Sequence, residues 1–563
     1  MFILNNLIMI SRSIAMAGAQ ITLQFPNQTQ SIPSGQTCFE VLRDYPVESQ
    51  SPVVLARIDD CLCDLNHVLN QDTKIEWITA ESPFGKRSYQ QTLCLILIRA
   101  VHELFPDRNL VIDHSLGKGL YCRFENETAF TEEQVGAIKL RMLEIVASDC
   151  PIERLTVSRE EALRLLPDSQ LPISIRDKRR TVCLHRCGTT TAFMDYPLYP
   201  STGYMKIFDL KFWDPGVILL LPEEENRRTF PPFGNPQKLF AVFQEYGHWE
   251  KILGVNQVAG LNKAIQSGEI RDLVKIAEGL HEKRMAQIAD TITRDRRHKR
   301  IILIAGPSSS GKTTSTKRLT IQLRVNGLKP LSISLDDYFL DRDKTPLDTD
   351  GKPDFESVRA LDVERFNKDL LSLLDGGEVC LPRFDFMVGK SVDGPVCRLG
   401  KDQPILIEGL HALNDALTPS IPKEIKFKLF VSALTQLNLT NHLRIPTSDV
   451  RFLRRLVRDF QFRGHSGTVT LEHWPKVRSG EEKYIFPFQE EADAIFNTSL
   501  FYELSVLGAL AVPVLKEISP AHPRSPEAKR MLELLDYFEP IPVKEVPPNS
   551  ILREFVGESS FSY

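Results

Sequence analysis

Residues 301–313 constrain the fold of this chain more than any other stretch. The apolar run Ile301-Ile302-Leu303-Ile304-Ala305 leads directly into Gly306-Pro307-Ser308-Ser309-Ser310-Gly311-Lys312-Thr313. A short aliphatic run ending at a glycine loop predicts a buried strand, and Thr314 to Val325 is helix-compatible. Strand, G-x-x-x-x-G-K-[ST] loop and helix in that order make a P-loop, in which backbone N–H groups and the positive end of the helix face an anion. The residues expected to cradle a nucleoside triphosphate are Gly306, Ser308, Ser309, Ser310, Gly311, Lys312, Thr313 and Thr314. Lys312 is expected to reach the β- and γ-phosphates, and Thr313 to place its hydroxyl on Mg²⁺.

The next strands narrow what is done with the phosphate. Leu331-Ser332-Ile333-Ser334-Leu335 alternates and ends in Asp336-Asp337-Tyr338-Phe339. Carboxylates at the C-terminal end of a parallel strand stand at the rim where open α/β sheets bind ligands. Transfer to a small hydroxyl needs a carboxylate beside the acceptor oxygen, to orient it and take its proton, and Asp336 fits that place. The alternative is an Asp pair that only caps a turn. A third strand, Ile405-Leu406-Ile407, ends in Glu408-Gly409, where an acid can hold Mg²⁺ directly or through water.

From about residue 298 to 520 the chain resembles the uridine kinase and phosphoribulokinase group of P-loop kinases. The resemblance is carried by G-P-S-S-S-G-K-T-T (306–314), S-L-D-D-Y-F (334–339), F-E-S-V-R-A-L-D (355–362), F-D-F (384–386), I-E-G-L (407–410), R-F-L-R-R-L-V-R-D (451–459), R-G-H (463–465) and E-A-D (491–493). It implies transfer of the ATP γ-phosphoryl group to a nucleoside 5′-hydroxyl, with Asp336, Lys312 and Arg463 as catalytic residues. It implies substrate contacts from Tyr338, Phe355, Glu356, Phe384, Phe386 and Arg451, with Arg454, Arg455 and Arg458 beside them in an arginine-rich helix and lid. The implied metal ligands are Thr313 and Glu408. Two positions depart from the pattern. The ribose-side acid is Glu356 rather than Asp, and Gly389 stands where a uridine kinase has the His that bonds the pyrimidine. Base specificity is therefore open, and a phosphoribulokinase- or pantothenate-kinase-like acceptor is an alternative.

The rest of the chain is unlike a simple nucleoside kinase. With 563 residues, 42% apolar and 25% charged, it reads as two to four globular domains. The net charge of −4 carries no global basic signal, so any RNA contact has to be local. Ten cysteines in so long a chain form no disulfide framework and read as reduced thiols in a cytoplasmic protein. No run is long enough to span a membrane. Residues 1–19 read as an N-terminal extension, with a signal peptide and a start extension ahead of Met9 or Met16 both open. Oligomeric state is not legible.

Alternation at Ile21, Leu23 and Phe25, a turn at 33–37, a short helix over Cys38–Asp44 and strands at 53–58 and 73–78 resemble a TGS domain, covering about 20–80. An amphipathic helix opening at Ser88 and the stretch Asp113-His114-Ser115-Leu116-Gly117-Lys118-Gly119 resemble the second additional domain of threonyl-tRNA synthetase, over 81–240. That likeness implies RNA contact through the N-terminal half. An ATP-dependent RNA-binding or regulatory protein is the corresponding alternative function. His114, Cys183, His185 and Cys187 have the ligand types of a Zn²⁺ site, set against packed thiols and a hydrogen-bonded histidine. Helical spacing over 239–265 and 273–292 predicts a connector over 241–297. The basic tract 294–300 reads as a solvated helix end. A proline-rich segment, 521–563, with a short amphipathic helix at 524–538, is expected to dock on another domain. The expected fold is thus multidomain α/β and α+β: a ubiquitin-like TGS domain, a synthetase-like α+β domain and a C-terminal P-loop domain with a mostly parallel sheet.

Overall fold

The computed structural model describes residues 20–172, 181–222, 229–230, 233–295, 298–347, 351, 353–385 and 388–562. The readings on residues 1–19, and the aromatic contact from Phe386, lie outside the described residues.

The chain opens with a five-stranded sheet of β1 (Gln20–Gln24), β2 (Thr29–Pro33), β3 (Val53–Ile58), β4 (Cys61–Asp64) and β5 (Thr73–Thr79), in the order β2-β1-β5-β3-β4. β1 runs antiparallel to β2 and parallel to β5. Helix α1 (Cys38–Asp44) covers it. Its start is fixed by a capping box in which the Thr37 hydroxyl accepts from the Glu40 N–H and Glu40 returns to the Thr37 N–H. The alternating apolar residues Ile21, Leu23 and Ile75 meet Val41 in a small core of their own.

Helix α2 (Pro83–Leu104) begins five residues before the expected Ser88. Ser82 caps it by accepting from the Gly85 N–H, and Pro83 occupies the first turn, where its missing N–H costs nothing. It is not amphipathic in its middle: Leu93 to Ile98 are all buried. The four-stranded antiparallel sheet of β6 (Leu110–Leu116), β7 (Gly119–Phe124), β11 (Asp209–Trp213) and β12 (Gly216–Leu220) shares this core with helix α3 (Glu132–Ala147). A three-stranded sheet of β8 (Ile152–Ser158), β9 (Thr181–Cys187) and β10 (Thr190–Ala192) and helix α4 (Arg159–Leu165) complete the N-terminal half.

The helix expected over 239–265 is two helices, α5 (Gln237–Ile252) and α6 (Val258–Ser267). Gly254, at φ 68°, turns the chain between them, a conformation glycine adopts without penalty. Helix α7 (Ile270–Arg294) follows and ends at Arg294, at the head of the basic tract, whose Arg296 and Arg297 are not among the described residues.

The C-terminal half is built on a five-stranded, all-parallel sheet in the order β14 (Leu331–Ser334), β17 (Ile405–Glu408), β13 (Ile301–Ala305), β18 (Lys426–Ser432), β19 (Ala494–Asn497). The central strand β13 is fully buried, as its unbroken aliphatic sequence requires in a sheet covered on both faces. Helix α8 (Lys312–Val325) leaves β13 through the glycine loop. Strands β15 (Glu378–Asp385) and β16 (Lys390–Arg398) form a separate antiparallel hairpin, and helix α9 (Val363–Leu374) packs on it. Helices α10 (Thr447–Arg463) and α11 (Gly467–Tyr484) follow the fourth strand. Helix α7 braces α8 from behind: the nearly buried Arg318 pairs with Glu282 at 2.7 Å and Glu278 at 3.7 Å. Helix α12 (Glu503–Lys516) packs against α10, α13 (Ser525–Leu535) packs on α12, and the single turn α14 (Arg553–Val556) packs against α10, so the terminal segment is part of the same core.

Candidate active site

The loop after β13 has a shape only this sequence type tolerates. A Cβ on Gly306 would stand 1.9 Å from the Val431 carbonyl oxygen of the neighbouring strand, so no side chain fits. Gly311 sits at φ 83°, and Ser309 is held at φ 57°, a strained value for a non-glycine residue. Lys312 opens α8 with its Nζ donating to the Gly306 and Pro307 carbonyls at 2.8 and 3.3 Å. Thr313 is the second residue of the helix and Thr314 the third, so their N–H groups are among the donors a helix leaves without internal partners.

Five carboxylates surround Lys312 at this end of the sheet: Asp336, Glu356, Glu408, Glu481 and Glu554. Burial lowers the Lys312 pKa, while Glu408, Asp336, Glu554 and Glu481 oppose that shift. Asp336 follows β14 in a short 3₁₀ turn whose first N–H groups are capped by Ser334. Its side chain is open to solvent, yet the protein around it desolvates its charge and raises its pKa, with Lys312 and Arg463 opposing. Burial pushes Glu408 up to about 7 against the pull of Lys312. A divalent cation at Thr313 and Glu408 would hold that carboxylate ionised, so this oxygen-only donor pair fits a hard ion such as Mg²⁺. Glu356 stands across the site against Gly480, and burial with repulsion from Glu481 raises it to about 7. Arg455 and Lys312 counter that rise, which places the expected ribose-side acid within the field of the phosphate loop.

The arginines of α10 divide differently from the expectation. Arg463 lies 3.6 Å from Asp459 and within the electrostatic field of Asp336. Arg451 does not face an acceptor. It is fully buried, pairs with the equally buried Glu481, and donates from Nε to the Ser308 carbonyl at 2.9 Å. Arg454 pairs with Glu503 and donates to Ser309, Thr498 Oγ1 and the Thr498 carbonyl. Arg455 Nη1 donates to Ser308 Oγ at 2.8 Å. The 3.6-residue period puts these side chains on one inward face, so they clamp the glycine loop from behind.

The aromatic contacts also change. Tyr338 is buried edge-on against Phe366 at 4.9 Å, with its hydroxyl donating to Asp369 at 3.0 Å, so it is a core residue. Phe355 is 43% exposed. Phe384 is buried beside Phe339, and its N–H donates to Asp337 at 3.3 Å, tying the hairpin to the acidic turn. Gly389 has a structural cause: it sits at φ 74°, and a Cβ there would lie 2.4 Å from Arg342 Cδ.

Sequence reasoning missed Glu481, His411 and Glu554. Glu481 accepts from the Ser308 N–H at 2.8 Å and anchors Arg451, yet no local sequence pattern marks it. His411 is buried three residues beyond Glu408, edge-on to Tyr484 at 5.7 Å. Its position at the carboxyl end of a parallel strand was an available signal.

The four residues with zinc-ligand chemistry do not converge. His114 stacks on Phe243 at 3.8 Å. Cys183 accepts from Arg154 at 2.8 Å and Cys187 from Arg99 at 3.3 Å. His185 is buried with its pKa lowered by desolvation. Among the described residues no group of three or more His, Cys, Asp and Glu has metal-binding geometry. Also among them, no helix is long and apolar enough to cross a membrane.

A glycine loop between a buried parallel strand and a helix, with carboxylates at the ends of two adjacent strands, defines a P-loop fold. Residues 301–501 match the model of the Phosphoribulokinase / Uridine kinase family. The chain aligns with a Bacillus stearothermophilus structure described as a possible uridine kinase, at 19% identity and a TM-score of 0.25, over 41% of this chain and 100% of that one. Phosphoribulokinase from Rhodobacter spheroides aligns at 15% identity and a TM-score of 0.24, over 36% of this chain and 70% of that one. The N-terminal half is similar to threonine–tRNA ligases. That of Carboxydothermus hydrogenoformans is 28% identical over 201 residues, 34% of this chain and 31% of the ligase. That of Acetivibrio thermocellus is 31% identical over 152 residues, 26% of this chain and 24% of the ligase. The chain spans about a third of the length of the first of these ligases.

Proposed function

We propose that the chain is an ATP-dependent phosphotransferase that moves the γ-phosphoryl group to the 5′-hydroxyl of a nucleoside-like acceptor. The observation that carries this reading is the convergence of Asp336, Glu408 and Glu356 on the field of Lys312. Lys312 and the loop amides bind and orient the phosphates. Asp336 accepts the acceptor's hydroxyl proton, and Arg463 neutralises charge beside it. Glu356 holds the ribose hydroxyls. Thr313 and Glu408 would hold Mg²⁺, which would supply positive charge to offset that of the phosphates. Catalysis is positioning and electrostatics, since no covalent intermediate is required.

The proposed division runs from a TGS-like unit to about residue 80, through a synthetase-like unit to 240 and a connector to 297, to the kinase unit at 298–520 and a docking segment. Ten unpaired cysteines support a cytoplasmic location. Similarity of the N-terminal half to threonine–tRNA ligases supports a second activity, local RNA contact by that half. Steeply salt-dependent tRNA binding would test it.

The deciding experiment is ATP turnover by the full chain against a panel of nucleosides and sugars, with Lys312→Ala as control. Turnover with at least one nucleoside, lost in Lys312→Ala with the circular dichroism spectrum unchanged, is expected. Turnover only with sugars would move the acceptor to the phosphoribulokinase-like alternative. Activity of Lys312→Ala within about tenfold of wild type would overturn the assignment, because a phosphate-binding charge in the transition state is worth several kcal/mol.

A further inference from the structure

The C-terminal segment lies beyond the family-matched residues 301–501, yet it reaches the triphosphate loop. Ile551, Leu552 and Phe555 are fully buried and anchor α14. Ile551 lies against the loop: a Cβ on Gly311 would stand 2.6 Å from Ile551 Cγ2. The Phe555 ring sits under the Arg454 guanidinium, 5.1 Å from its centroid. Arg553 fastens the turn to its own surroundings by donating to the Val543, Val546 and Gly557 carbonyls.

This fixed turn aims one charged group. Glu554 Oε2 accepts from Thr314 Oγ1 at 2.6 Å and from the Thr314 N–H at 3.2 Å. Thr314 is the third residue of α8, and these are donors the helix leaves for an anion. A carboxylate on them is a chemical stand-in for a phosphate oxygen. Both anions cannot share the donors, because the pair would repel at contact distance in a partly desolvated site.

Resting on the P-loop reading above, we propose that Glu554 is a built-in competitor of the nucleotide phosphate. The C-terminal segment gates the nucleotide site, and ATP enters by displacing this carboxylate from Thr314. The apolar anchors stay in place. Only the half-buried Glu554 side chain has to swing away, so the gate sets nucleotide affinity without unfolding the segment.

The test is ATP binding by titration calorimetry on the full chain: wild type, Glu554→Gln and Glu554→Ala, each with melting temperatures with and without ATP. The side chain is half-buried, and Ile551, Leu552 and Phe555 anchor the turn without it, so both variants are expected to fold. Both should bind ATP about tenfold more tightly, the scale of a favourable charge at a helix N-terminus. Each should also melt slightly earlier without ATP and gain more from it. Equal or weaker ATP binding in both variants, with wild type still binding, overturns the gate and makes Glu554 part of the nucleotide site. Absence of ATP binding in all three overturns the P-loop reading itself, and the gate with it.

Discussion

Glu481→Gln is the most informative single change in the kinase half. Glu481 and Arg451 are each 1% exposed, and the carboxylate also accepts from the Ser308 N–H at 2.8 Å. One residue thus serves a buried charge and the phosphate loop. Burial pulls the Arg451 pKa down to about 10 despite its partner, so the desolvated guanidinium relies on Glu481 as its countercharge. Both bonds end on Oε1, so glutamine can keep that acceptor oxygen but supplies no countercharge. Arg478 also leans on Glu481 at 3.1 Å, but it is 29% exposed and can turn to water. Removing one partner of a buried pair costs about 3–5 kcal/mol, and that is the expected destabilisation of the kinase half. Trp474, whose ring lies 5.5 Å from the Arg451 guanidinium, reports the transition by fluorescence in a urea titration. The double variant Arg451→Met/Glu481→Leu should recover most of the stability, because an apolar pair of similar volume needs no desolvation. It should not recover activity, since leucine leaves the Ser308 N–H without its acceptor and KM for ATP should rise. A loss below about 1 kcal/mol in Glu481→Gln, or a double variant as unstable as the single one, would refute the reasoning.

Other outcomes follow from the same geometry. Asp336→Asn should lower kcat by roughly 10²–10⁴ with ATP affinity little changed; equal loss in both would move Asp336 to the metal and make Asp337 the base. Glu356 is raised from 4.5 to about 7 mainly by burial, so its protonated form favours the folded state. Its contribution is full below pH 4.5 and is lost as pH rises toward 7; Glu356→Gln should flatten that slope in urea titrations at several pH values. With Gly389 in place of a base-reading histidine, the enzyme should accept several nucleosides, and a uridine preference over adenosine of roughly 10³ in kcat/KM would contradict this. Gly306→Ala should abolish nucleotide binding, because its Cβ would stand 1.9 Å from a strand carbonyl; calorimetry showing wild-type ATP affinity would sink the steric argument.

Local sequence determined the parts whose physics is local. The aliphatic run 301–305 had to be a central strand, the glycines at 306 and 311 had to make the tight turn, and acids placed directly after strands had to stand at the sheet's carboxyl rim. Asp336 and Glu408 were placed at that rim for this reason, while Glu356 was marked by the family resemblance alone; the Cys38–Asp44 helix and the strands near 21, 53–58 and 73–78 were legible from local pattern. Tertiary structure decided what each long side chain does, because that depends on partners far away in sequence. Arg451 looked like a lid residue and is held inside by Glu481, 30 positions away. Tyr338 looked like a substrate aromatic and is claimed by Asp369 and Phe366. The zinc-type residues share a ligand chemistry, yet His114 and the β9 residues are bound to different neighbours. Glu554 lies 240 residues from Thr314, and no local pattern could announce that contact. Backbone conformation follows from neighbouring residues, whereas the fate of a charge is fixed by what desolvates it and what pairs with it, and only the folded chain brings those groups together.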